Sequence, residues 1–133
     1  MILGIGLDLC EVERMKRAVE RPRFVDRVYT AAEAARIRAA AEARAAEIAA
    51  GLFAAKEAVA KALGTGFAGF GPWEIEITPD IAGRPQCALY EGALARAKAL
   101  AGPGRFRVWV SVTHDKGMAA ATAVIEGEGL STP

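Results

Sequence analysis

From Phe53 to Gly66 the chain reads FAAKEAVAKALGTG. Alanines and a leucine make this a strong helix former. Gly64 and Gly66 supply the stop, where a left-handed residue costs little. At about 100° per residue, Leu52, Val59 and Leu63 form one apolar stripe, flanked by Phe53, Ala55 and Ala60. Glu57 and Lys61 lie off that stripe and face each other at i, i+4. Lys56 projects into the apolar arc between Leu63 and Ala60, where an ammonium must snorkel, pair or bind something. Two readings compete. One is a solvated Glu57–Lys61 pair worth a few tenths of a kcal/mol. The other is a cation pair, a carboxylate and a glycine-rich turn arranged around a Mg²⁺-bound phosphate ligand.

Residues 2–9 read as a strand. Leu3, Ile5, Leu7 and Leu9 share one face, expected to be the core face; Gly4, Gly6 and Asp8 share the other with Ile2. Two glycines leave that second face nearly bare, so another group can approach the backbone, with Asp8 at its end. A helix crossing over the glycines, with Asp8 capping the next helix, explains the same pattern.

Glu11 to Arg21 reads as a helix stopped by Pro22. Val12, Met15 and Val19 make its apolar stripe, and Arg14, Arg17 and Arg21 a second one, with Phe24 following. This is either an ordinary solvated face or a docking surface for an acidic partner helix. Thr30-Ala31-Ala32-Glu33 is a capping box that starts a helix running to about Glu42. A break near Ala43 precedes the helix that ends at Leu63 and tolerates Gly51 at about 1 kcal/mol.

After Gly66 the period changes to two. Trp73, Ile75 and Ile77 alternate with Glu74, Glu76 and Thr78, which predicts a strand. Turn residues 79–85 lead to a returning strand over Gln86–Tyr90, then a helix over Gly92–Leu100. Phe106, Val108, Val110 and Val112 alternate in a strand that ends at Thr113-His114-Asp115. Lys116-Gly117 turns the chain into a last strand, Met118–Ile125, with a frayed tail expected over 126–133. The expected class is α+β: a mostly antiparallel sheet with helices packed on one side. His114, the one histidine, is either an inconsequential surface residue or an anion contact at a strand end.

With 133 residues, a single domain over 1–133 is the default. A net charge of +1 argues against a general nucleic-acid binder. Cys10 and Cys87 have no CxxC spacing and no histidine cluster, which suggests two buried thiols in a reducing cytosol. The N-terminal apolar run lacks a basic flank and is too short to span a membrane, so a soluble cytoplasmic protein is expected.

Three segments then read together: GIGLDLCEVERM at 4–15, FAAKEAVAKALGTG at 53–66 and VSVTHD at 110–115. With FVDRVYTAAE at 24–33 and the Gly83-Arg84-Pro85 turn, they resemble the small bacterial 4′-phosphopantetheinyl transferases, the holo-[acyl-carrier-protein] synthases, over nearly the whole chain. The resemblance implies transfer of the phosphopantetheine arm of coenzyme A to a serine of apo-acyl carrier protein, releasing adenosine 3′,5′-bisphosphate in the service of fatty acid biosynthesis. It implies Mg²⁺ held by Asp8 and Glu57, a catalytic Lys61 at the leaving phosphate, and coenzyme A held by Lys56, Gly64, Thr65, Gly66, Thr113 and His114. Glu57 is the candidate base for the carrier serine, with Asp8 the alternative. The resemblance also implies a homotrimer with active sites between subunits, and makes Arg14, Arg17, Arg21 and Phe24 the docking surface for the acidic carrier. Many relatives carry an arginine just before the Phe of the KEA block; here that position is Leu52, and Arg44 or Lys56 would replace it.

Two other classes fit parts of the pattern. One is a different Mg²⁺-dependent phosphotransferase using Asp8 and Glu57, although no GxxxxGK[ST] run is present. The other is a non-catalytic acyl-carrier-protein binding module, which would be expected to have lost at least one of Asp8, Glu57, Lys61 and His114.

Overall fold

A computed structural model describes residues 1–129. Strand β1 (Ile2–Glu11) leads through α1 (Val12–Ala18), α2 (Pro22–Val28) and α3 (Ala31–Ala39) to the long helix α4 (Glu42–Ala62). A 3₁₀ turn (Pro72–Glu74) precedes the ribbon β2 (Ile75–Pro79) and β3 (Pro85–Leu89), then α5 (Glu91–Ala101), β4 (Arg105–Asp115) and β5 (Met118–Glu128). Both sheets are antiparallel: three strands in the order β1-β5-β4, and the separate β2-β3 ribbon. The α+β class is as expected, with two sheets where one was anticipated. Among the described residues no helix is long and apolar enough to cross a membrane.

Helix α4 is the centre of the molecule. Its small residues let it lie diagonally on the three-stranded sheet. A Cβ on Gly51 would come 3.0 Å from Val112 of β4, while near the other end Gly6 and Gly4 meet the backbone of Ala58 and Ala62. A Cβ on either strand glycine would fall 1.8 Å from a helix carbonyl oxygen, so no other residue fits there. The glycine face of β1 is therefore the packed one, and the helix crossing explains it. Asp8 does not cap α1, whose N-cap residue is Glu11.

The expected core face of β1 is open instead: Ile5, Leu7 and Leu9 are 67%, 63% and 63% exposed. Period two sorts residues into faces without saying which face is covered. Four other expectations change. Pro22 begins α2 at its first turn, where a missing N–H costs nothing, so Arg21 leaves the helix that carries Arg14 and Arg17. The helix expected to reach Glu42 stops at Ala39, and α4 starts at Glu42. The strand expected from Trp73 starts at Ile75, because Glu74 is buried and accepts from the backbone N–H groups of Gly71 (2.6 Å) and Gly92 (2.9 Å). Finally, Glu126–Glu128 is paired strand rather than fray, tied to the chain start by Gly127 N–H donating to Met1 O at 2.7 Å. The rest of the expected tail, residues 130–133, lies outside the described residues.

The Thr30 capping box forms as written, with Thr30 Oγ1 accepting from Glu33 N–H and Glu33 Oε1 from Thr30 N–H. Both cysteines are free; burial pushes Cys10 up to about 11 and Cys87 up to about 12, which leaves both as neutral thiols.

Candidate active site

The close β1–α4 crossing brings Asp8 beside the last turns of α4. Lys61 Nζ donates to Asp8 Oδ1 at 2.9 Å and to Leu7 O at 3.1 Å. Lys61 therefore pairs across the crossing rather than with Glu57 one turn earlier, as i, i+4 spacing had suggested. Glu57 is half-buried, and its carboxyl is raised above the ordinary range, first by burial and then by the Asp8 charge; Lys61 and Arg14 pull it back. Among the described residues no three ligating side chains converge on a metal position. Asp8, whose charge acts on Glu57, and Glu57, which makes no ion pair among the described residues, suit an ion that takes one or two protein carboxylates and completes its shell with water and substrate phosphate.

Just past Lys61 the helix is capped by the glycine turn. Gly64 and Gly66 have φ of 86° and 59°, and their N–H groups donate to Lys61 O and Ala60 O. Thr65 is exposed beside them. Arg96 of α5 closes the same end, its Nε donating to Leu63 O at 2.8 Å. Nothing in the sequence signalled Arg96.

His114 lies elsewhere. It follows Val112 on the helix side of β4 and sits at the N-terminal end of α4, where Nδ1 is 3.0 Å from Glu47 Oε2 and Nε2 is 3.5 Å from Arg44 Nη1. These residues border a cavity of about 230 Å³ that also takes in Arg36, Leu52 and the Thr78–Pro79 and Gly83–Pro85 ends of the ribbon. Glu47 and Arg36 were not anticipated; the i, i+3 spacing of Arg44 and Glu47 is the one local hint. Thr113, next in sequence to His114, belongs by strand alternation to the opposite, open face of the sheet. Glu47 and Glu57 are ten residues apart on α4, about 15 Å along the axis. The two clusters are thus separate within one chain.

Lys56 joins neither. It is fully buried, 2.6 Å from Glu33 Oε1, and donates to Pro72 O and Ile75 O. Burial pushes its ammonium below the usual lysine range, and Glu33 opposes that shift. With every donor engaged inside the fold, Lys56 is not a coenzyme A contact, and of the two candidate replacements for the arginine missing at Leu52 only Arg44 reaches the cavity.

Arg14, Arg17 and Arg21 are exposed and Phe24 is half-buried. Arg14 lies over Phe53 at 5.6 Å and Arg21 over Phe24 at 6.0 Å. The rings of Phe24 and Phe53 lie 6.3 Å apart, tilted by 31°, which joins Arg14 and Arg21 in one cationic, aromatic surface, while Arg17 pairs with Glu13 at 3.9 Å.

Two carboxylates with an attached lysine, next to a cationic and aromatic surface on an α+β fold, suit a transferase of phosphoryl groups. The comparisons narrow the class. The 4′-phosphopantetheinyl transferase superfamily model matches residues 4–122. The chain is 44% identical to the holo-[acyl-carrier-protein] synthase of Clostridium acetobutylicum, covering 95% of this chain and 98% of that one. It is 47% identical to that of Solidesulfovibrio magneticus, covering 96% and 100%. Among solved structures, the Bacillus anthracis holo-(acyl-carrier-protein) synthase in complex with CoA (3′,5′-ADP) aligns with a TM-score of 0.80 at 31% identity, covering 96% of this chain and 99% of that one. The chain belongs to the 4′-phosphopantetheinyl transferase superfamily and is an enzyme of phosphopantetheinyl transfer.

Proposed function

We propose that this enzyme moves the phosphopantetheine arm of coenzyme A to a serine of an acidic apo-acyl carrier protein in the cytoplasm, for fatty acid biosynthesis. The observation that carries the reading is the meeting of two carboxylates and a lysine at the β1–α4 crossing: Lys61 is held on Asp8, and the Asp8 charge acts on Glu57. Asp8 and Glu57 would hold Mg²⁺. Bound there, the ion would supply charge neutralisation for the pyrophosphate. Lys61, half exposed and tied to Asp8, offsets the charge on the leaving phosphate. Glu57 accepts the serine proton as the new serine O–P bond forms. The pyrophosphate P–O bond breaks, and adenosine 3′,5′-bisphosphate leaves with its electron pair. The Gly64–Gly66 turn, whose Thr65 side is open, borders the phosphates.

The nucleotide end of coenzyme A belongs in the His114 cavity, where Arg36, Arg44 and His114 supply cationic and hydrogen-bonding groups for its phosphates. That cavity lies far from Asp8 in the same chain, which favours a site completed by a neighbour. The open face of β1, with Ile5, Leu7 and Leu9, is more apolar surface than a lone small chain normally leaves bare, and a homotrimer would cover it. Thr113 on the same face would then meet the neighbour.

The test is the intact mass of purified apo-acyl carrier protein after incubation with the enzyme, Mg²⁺ and coenzyme A, beside an EDTA control. The expected result is a gain of one phosphopantetheine, lost with EDTA. No gain with several carriers would leave the reading unsupported. Light scattering should give a particle of three chains.

A further inference from the structure

Lys56 was the residue the sequence could not place, and its partner is Glu33. The pair gathers segments that are distant along the chain. Glu33 Oε1 accepts from Thr30 N–H at 2.8 Å and from Lys56, while Oε2 accepts from Ile77 N–H at 2.8 Å. Lys56 also donates to Pro72 O at 2.9 Å and to Ile75 O. One buried node therefore ties the start of α3, the middle of α4, the 3₁₀ turn and β2.

Those elements are walls of the His114 cavity. Arg36 is one turn beyond Glu33 on α3, Leu52 is one turn before Lys56 on α4, and Ile77, whose amide Glu33 holds, lies in the lining with Thr78 and Pro79. We infer that Glu33 and Lys56 are a positioning pair that fixes the mutual placement of three walls of this cavity, and with it the affinity for the nucleotide end of the donor. This rests on the reading of the cavity given above. Directed bonds suit the task. Apolar contacts let α3, α4 and the ribbon slide over one another, whereas a buried pair whose partners all need bonds holds one arrangement. No hydrogen bond links the pair to the α1 arginines; its link to that surface is the Tyr29 ring, 5.9 Å from Lys56 Nζ and 6.2 Å from the ring of Phe24, so the carrier side is expected to feel the smaller effect.

The test uses Glu33→Gln, and the Glu33→Gln/Lys56→Gln double variant, which replaces the ion pair with two neutral amides in case the single variant does not fold. Three quantities are read: the coenzyme A Kd by calorimetry, the KM for carrier protein, and amide exchange by mass spectrometry. In a folded variant, the coenzyme A Kd rises about tenfold while the carrier KM stays within about twofold. Exchange accelerates at residues 75–79 ahead of the rest of the chain. An unchanged Kd, or equal weakening towards both substrates, overturns the inference. If the wild-type protein takes up no coenzyme A, the reading of the cavity fails first; the exchange pattern still decides for the pair, since uniform acceleration would mean that it fixes no particular wall.

Discussion

Lys56 and Lys61 stand five residues apart on one helix and have almost nothing in common. Lys61 is 52% exposed and reaches across to Asp8 at 2.9 Å, in the proposed reaction site. Lys56 is sealed inside and bonded to a carboxylate and two carbonyls. The same side chain in the same motif makes an open surface pair in one case and a buried fastening in the other. What separates them is about 140° of rotation around α4, which turns one towards Asp8 on β1 and the other into the packing between α3 and β2.

The sharpest break of this comparison is at the reaction site. Asp8→Ala or Glu57→Ala should lower transfer by on the order of a thousandfold or more while leaving the urea midpoint close to wild type. Retained turnover in both variants would remove the carboxylate pair from the chemistry. Next is Lys56→Met, which leaves Glu33 buried without its counter-charge and should cost about 3–5 kcal/mol in urea unfolding. A loss below 1 kcal/mol would show that the pair is not the fastening described.

Lys61→Met should do the reverse. Transfer falls by about ten- to a hundredfold, yet stability changes by less than about 1 kcal/mol, because exposed pairs contribute little. The smallest effect is expected at Glu57. Its carboxyl is raised in the folded protein, so folding favours its protonated form. That contribution is present at acid pH and is lost as pH rises through the folded value, above the usual carboxylate range. Glu57→Gln should therefore melt slightly higher than wild type near about pH 7 and lose that advantage towards about pH 4. A variant that melts lower at neutral pH would contradict the sign. Double reversal of Arg14 and Arg17 to Glu sharpens the contrast from outside, raising the KM for carrier but not for coenzyme A, more so at low salt.

What could be read in advance followed local physics. The Thr30–Glu33 capping box, the glycine stop after Leu63 and the Lys116-Gly117 hairpin all depend on neighbours within a few residues, and all are there. Lys56 could be flagged as misplaced, but not partnered, because Glu33 lies on another helix. Asp8 and Glu57 came together only through the resemblance, since nothing local says that β1 passes under the end of α4. The face of β1 reads the wrong way round for the opposite reason: its leucines and isoleucine are apolar enough for a core, and a single chain leaves them open. His114 was singled out, whereas Glu47, which takes its Nδ1, was not, because a glutamate on a helix surface is too common to attract notice.

The contact beneath Gly4 and Gly6 limits what evolution or an engineer can do with this crossing. A bulky side chain in a packed interface can often be accommodated by trimming the residue opposite. Here the atoms opposite are the carbonyl oxygens of Ala62 and Ala58, which every amino acid possesses. Trimming a side chain on α4 cannot relieve an alanine at Gly6, so suppressor screens starting from Gly6→Ala should return no compensating substitution at Ala58 or Ala62.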